Sequence, residues 1–247
     1  MAVRRRVVLG ALTSALIVGL ASGARSETRA VIELFTSQGC SSCPPADKLL
    51  GDLAKDPTLI PLTLAIDYWD YLGWKDTLAL PGHSNRQKAY SSVRGDREVY
   101  TPQVIVNGSV QALGNDHAAI ERAVATSRKN TATLSLPLTL STDNGKVTVT
   151  APAGKTDAVG AEVWLCPLSK AVPVAIGRGE NSGKTVTYHN VVRKWVKLGV
   201  WTGKAESWSI PVADVKTEGV DAVAVVLQSG KAAAPGAMLG AAMASLH

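Results

Sequence analysis

Two rhythms of apolar and polar residues divide the chain. Ala30 to Thr36 is an almost continuous apolar run with Glu33 as its one charge, which predicts a strand covered on both faces. From Ala46 to Lys55 the apolar positions Ala46, Leu49, Leu50, Leu53 and Ala54 recur at three and four residues, the stripe of an amphipathic helix. Pro44-Pro45 fixes its start, because N–H groups in a first turn mostly lack partners anyway. Leu59 to Ile66 is a second apolar strand, parallel to the first if the helix is a crossover. Ser84 to Val93 predicts a helix, with Pro81-Gly82 ahead and Gly95 behind. Two strand-like runs flank Asn107-Gly108, a strong hairpin signal, and Thr101-Pro102 opens the first of them. A last helix, capped by Asn115, runs to about Ser127 on an Ala119, Ile120, Ala123, Val124 stripe.

From about Thr131 the period shortens to two. Leu134, Leu136, Leu138 and Leu140 alternate with smaller or polar residues. After the turn Asp143-Asn144-Gly145, Lys146 to Thr150 alternates again. Val159 to Leu165, Val172 to Ile176, Thr185 to Tyr188, Ser207 to Ile210 and Val220 to Gln228 also read as strands, while Arg193 to Leu198 fits a short helix or a strand. Short alternating strands with Gly and Asn turns predict an antiparallel sandwich. The Gly-rich segment Gly177 to Lys184 lacks the spacing of a phosphate loop and lies between strands, so it reads as a hairpin loop. The expected fold class is an α/β domain over 27–130 followed by an all-β, sandwich-like domain over 131–247.

Composition narrows the function classes. Hydrophobic residues make up 46% of the 247 positions and charged residues 19%, enough apolar material for real cores and against wholesale disorder. Arg4, Arg5 and Arg6 supply three charges of a formal +6. The remaining basic residues are scattered, with no run that tracks a phosphate backbone, which argues against nucleic acid as a partner. Arg4-Arg5-Arg6, the apolar Val7 to Leu20 and the small residues near Ala24 have the layout of a secretory signal over 1–26. Arg5 to Leu9 also loosely resembles a twin-arginine export signal. The apolar run is short for a membrane span. Export, to the periplasm or beyond, is the expectation, without stable membrane insertion once the signal is cleaved.

The chemistry concentrates at Gly39-Cys40-Ser41-Ser42-Cys43-Pro44-Pro45. Two thiols two residues apart at a strand-to-helix junction lie close enough to bridge. A helix N-terminus favours thiolate over thiol, and an oxidising compartment lets the disulfide persist. The same spacing also serves as half of a zinc site. Cys166 is left over between apolar neighbours, as a small buried hydrophobe would be. Asp67 to Asp76 is an aromatic-rich loop past the end of a strand, where ligands of open α/β sheets bind; its rings can equally cover the core edge. The histidines His83, His117, His189 and His247 show no metal-ligand spacing, and no metal site is expected.

C-x-x-C after the first strand and Thr-Pro at the opening of the third, in β-α-β-α-β-β-α order, resemble the thioredoxin fold over about residues 30–128. The resemblance implies that Cys40 is the attacking cysteine and Cys43 the resolving one. It makes Pro102 a cis-proline facing the dithiol, with Thr101 aligning an extended substrate; the aromatic loop around Trp69 would then form the groove wall. It offers Glu33 as the buried proton acceptor. Ser41-Ser42 between the cysteines, Gly39 in place of a tryptophan, and Pro44-Pro45 after them depart from the thioredoxin pattern and leave the redox direction open. Glu33 to Asp47, the Asp67 to Asp76 segment and Tyr100 to Gln103 are more closely similar to the family called domain of unknown function 1223, exported thioredoxin-like proteins with a β-rich second half. The implied function is a cofactor-free thiol–disulfide oxidoreductase acting on protein or small-molecule thiols and disulfides. The alternatives are a Cu(I)-binding module and an envelope interaction module with a structural disulfide.

Overall fold

The structure, a computed structural model, describes residues 27–155 and 160–246. The expected signal segment lies outside the described residues. Among the described residues three α-helices and twelve strands follow in the order β1 (Ala30–Thr36), α1 (Pro44–Leu53), β2 (Leu59–Ala65), α2 (Pro81–Arg94), β3 (Gln103–Val106), β4 (Val110–Leu113), α3 (His117–Ser127), β5 (Thr139–Ser141), β6 (Lys146–Ala151), β7 (Ala161–Ala175), β8 (Thr185–Val192), β9 (Val196–Trp201), β10 (Glu206–Pro211), β11 (Ala222–Lys231) and β12 (Ala234–Ser245). The α/β region is thus followed by a larger, mostly β region.

The two regions share one sheet. Its order is β12-β11-β7-β8-β2-β1-β3-β4, with β9 also paired to β7. β1 and β2 are parallel, as a crossover helix requires, and β3 is antiparallel to β1. A parallel bridge between Thr63 and Val191 joins β2 to β8. The sheet curls until the Met238 N–H of β12 donates to the Asn107 carbonyl at the β3–β4 turn, at 3.0 Å. That turn needs positive φ at both Asn107 (50°) and Gly108 (71°), as its Asn-Gly sequence predicts.

Alternation along each strand sorts the cores. On β1, Ala30, Ile32 and Leu34 pack with Ala46 and Leu50 of α1 and Ile120 of α3, while Val31 and Phe35 face Tyr90 of α2. On β11, Ala224 and Val226 join this second core. Val223, Val225 and Leu227 point the other way, onto a three-stranded sheet of order β10-β6-β5. That second layer is the sandwich the alternation predicts.

Several boundaries moved. The second helix begins at Pro81, not Ser84, because proline is tolerated at the first helical position. The third is capped by Asp116, whose carboxylate accepts the Ala119 N–H at 2.9 Å, one residue beyond Asn115. Arg193 to Leu198 resolves as the approach to a strand, β9. The strands expected at Val159 to Leu165 and Val172 to Ile176 fall largely on the single β7, whose first part pairs with β11 and second part with β8.

Candidate redox site

β1 delivers the chain to the C-x-x-C turn, and α1 carries it away. Cys40 and Cys43 are disulfide-bonded, with Cα atoms 5.4 Å apart. The Cys43 N–H donates to the Cys40 carbonyl at 3.1 Å, which closes the turn. Cys43 is the N-cap of α1 and is fully buried; Cys40 keeps 5% of its surface. Both cysteines are thus buried, Cys40 slightly less completely than Cys43. The Ser42 hydroxyl lies 3.4 Å from the Cys40 sulfur. Pro44 and Pro45 occupy the first two helical positions, so two N–H groups that favour a thiolate elsewhere are missing here. The Ser42 hydroxyl remains as a polar neighbour of that sulfur.

The other expected residues gather around this turn. The Thr101–Pro102 peptide is cis. The β1–β3 register ends with Phe35 opposite Gln103, so Pro102 falls beside Thr36, at the mouth of the C-x-x-C loop. Gly114 holds the proline in place: its N–H donates to the Pro102 carbonyl at 3.0 Å, and a Cβ there would lie 3.0 Å from the ring. Trp69 donates its indole N–H to the Thr101 hydroxyl at 2.8 Å. It also explains Gly39, where a Cβ would stand 3.2 Å from the Trp69 Cβ. Tyr71 stacks on Trp69 at 6.1 Å and is 76% exposed.

Glu33 is elsewhere. Strand alternation turns it to the α2 side of β1. There one oxygen accepts from Arg86 at 2.6 Å and the other from Tyr90 at 2.6 Å. Burial alone depresses the Arg86 pKa, but Glu33 more than offsets it and the guanidinium stays charged. Gln228 of β11 also bonds Arg86, at 2.8 Å, so this buried ion pair ties the two regions together. Cys166 lies in the same core, fully buried, its thiol pushed well up by burial.

The buried acid on the α1 side is Asp47, one turn beyond Cys43. Its N–H donates to the Cys43 carbonyl at 3.1 Å, and one carboxyl oxygen accepts the Thr36 hydroxyl at 2.8 Å. The other oxygen is buried without a partner. Burial raises its pKa from 3.8 to about 8, with Asp76 adding to the rise. Asp47 stands in the apolar stripe of the helix between Ala46 and Leu50, an anomaly the sequence does display.

Asn181 is a further member without a local signature. It sits, fully buried, in the β7–β8 hairpin loop, and its amide donates to the Gln38 carbonyl at 2.9 Å and the Cys40 carbonyl at 2.8 Å. Lys184 holds its oxygen at 2.9 Å. Asp76 grips the loop from the other side through the Gln38 N–H, at 2.7 Å, and Trp74 bonds the Gln38 side chain at 2.8 Å. The second region thus clamps the backbone of the disulfide loop. No group of three or more potential metal ligands occurs among the described residues, nor is any helix there long and apolar enough to cross a membrane.

A buried disulfide at a strand-to-helix junction, with a Thr-Pro turn at the facing strand end, defines a thioredoxin-like protein. The model of the family described as protein of unknown function (DUF1223) matches residues 31–228, and the chain belongs to that family. A crystal structure of an Agrobacterium tumefaciens protein is similar to it at 31% identity and a TM-score of 0.80, over 90% of this chain and 96% of that one. No curated protein matches the chain.

Proposed function

We propose that the protein is an exported thiol–disulfide oxidoreductase. The observation that carries this reading is the Cys40–Cys43 disulfide at the strand-to-helix junction beside the cis Thr101–Pro102 turn, with Cys40 the slightly less buried residue of the pair. In the reducing direction, the Cys40 thiolate attacks one sulfur of a substrate disulfide, and the other leaves as a thiolate. Cys43 then attacks Cys40 and releases the first substrate sulfur, so two electrons pass from the dithiol to the substrate. The reverse sequence oxidises a substrate dithiol. Thr101 and Pro102 align the substrate backbone, and Trp69 walls the groove. No cofactor is needed.

Cys43 must lose a proton before it attacks, and Asp47 is the acceptor in this reading. It adjoins Cys43 on the same face of α1, and a pKa near 8 is close to working pH, where a proton acceptor is most effective. The Glu33 role suggested by the thioredoxin resemblance therefore passes to Asp47, since both Glu33 oxygens are engaged across the sheet.

The test uses reduced protein and a mixed-disulfide peptide. Wild type should release peptide thiol, Cys40→Ser should be inactive, and Cys43→Ser should accumulate a covalent peptide adduct on Cys40. Wild-type rates no higher than those of Cys40→Ser would refute the proposal.

A further inference from the structure

A groove follows α1 from Pro44. It encloses about 630 Å³ between that helix and β8, and its wall includes Pro44, Lys48, Asp52, Lys55, Lys184 and His189. Pro44 follows Cys43 directly. At the same end, Lys184 is linked through Asn181 to the Cys40 carbonyl. The far end is Lys55, which is paired with Asp52 at 2.7 Å.

The charge here is local, not a property of the whole molecule. Four of the 26 basic residues (Arg4, Arg5, Arg6 and Arg25) fall within the first 26 positions, which hold no acid. Residues 27–247 therefore carry 22 basic against 20 acidic side chains. Against that near balance, one groove wall gathers three lysines and a histidine with a single carboxylate, and that carboxylate is committed to Lys55. Lys48 is exposed, and the Lys184 ammonium is held by a neutral amide. Asp52 also feels the charge of Lys48, so one carboxylate faces three lysines and the wall keeps an excess of two positive charges.

We propose that this groove receives an acidic segment of the polypeptide whose cysteine reacts with Cys40. The inference rests on the redox reading above and names its substrate class. Nine helical steps from Pro44 to Leu53 span roughly 14 Å, and with Lys55 two residues beyond the helix the wall matches about five residues of extended chain. The acidic residues therefore lie within about five positions of the reacting cysteine. Fixed lysines along a concave wall favour such a segment and disfavour a basic one, most strongly at low salt.

Three peptides test this, each carrying one cysteine as a mixed disulfide with 2-thiopyridine and differing only in whether the next five positions hold Glu, Gln or Lys. Reduced protein attacks the peptide sulfur, pyridine-2-thione leaves, and Cys43 then displaces the peptide thiol. At low ionic strength the Glu peptide should react about tenfold faster than the Lys peptide, with the Gln peptide between. The Glu-to-Lys ratio should fall several-fold in 0.5 M salt and in Lys48→Glu. Equal rates for the Glu and Lys peptides, with the Gln peptide reacting normally, overturn the groove assignment and leave the redox reading standing. Failure of all three peptides to react overturns both.

Discussion

The side-chain amide of Asn181 donates to the backbone carbonyl of Cys40, 141 positions earlier in the chain. It also holds the Gln38 carbonyl, and all of this is buried. Asn181→Ala leaves two buried carbonyls short of a donor, at a cost of about 1–3 kcal/mol. Denaturation of the oxidised protein should reveal that loss. Because the amide positions the loop and does not touch the sulfurs, the conservative Asn181→Gln should recover less than full stability. Both variants should change the Cys40–Cys43 reduction potential measured against glutathione. An unaltered potential would mean that the clamp is only structural.

The Ser42 hydroxyl lies 3.4 Å from the Cys40 sulfur, and the two prolines leave the first two helical positions without N–H donors. Ser42→Ala should slow the reaction of Cys40 in the reduced protein several-fold, because the thiolate loses a hydrogen-bond donor. Alkylation by iodoacetamide at neutral pH reads this directly. An unchanged rate would mean that the hydroxyl turns to solvent once the disulfide opens.

The first half of the chain was legible because its cues are local. Apolar runs, prolines at the start of α1 and an Asn-Gly turn each act within a few residues. β12 gave no such cue: Ala234–Ser245 is rich in Ala and Gly, poor strand formers, and becomes a strand because β11 offers it a partner. β7 was split because its two parts answer to different neighbours. The cysteines, Thr101, Pro102 and Trp69 were readable from motif and order. Asn181 was not, since nothing in a Gly-rich hairpin announces a contact with a loop so far upstream. The thioredoxin resemblance points to Glu33 as the nearest acid in the preceding strand, but the two-residue period of a strand turns it to the opposite face from Asp47.

Gly51 is where the two regions press most closely near the site. A Cβ there would stand 2.6 Å from the His189 ring. Gly51→Ala should therefore cost about 1–3 kcal/mol through overpacking, despite the better helix propensity of alanine. The double variant Gly51→Ala with His189→Ala should recover most of the loss, a coupling that chemical denaturation of the four proteins measures. Additive effects would place the imidazole away from the helix in solution.

Glu33 and Asp47 are both buried carboxyls beside β1, and one pair of substitutions separates them. Glu33→Gln strands the Arg86 charge in the core and should cost about 3–5 kcal/mol, without changing how thiol exchange depends on pH. Asp47→Asn should do the opposite. Folding raises the Asp47 pKa from 3.8 to about 8, so between those values the native state holds a proton that the unfolded chain has released. Stability must then fall as pH rises from about 4 to 8, with a ceiling on the order of 5 kcal/mol. Asp47→Asn removes that slope, so the oxidised variant should be more stable than wild type at pH 8 and nearly equal to it at pH 4. The same variant should resolve the Cys40 mixed disulfide more slowly near neutral pH, because Cys43 loses its proton acceptor. A stabilised variant that resolves at the wild-type rate would leave Asp47 as a buried carboxyl without a part in the exchange.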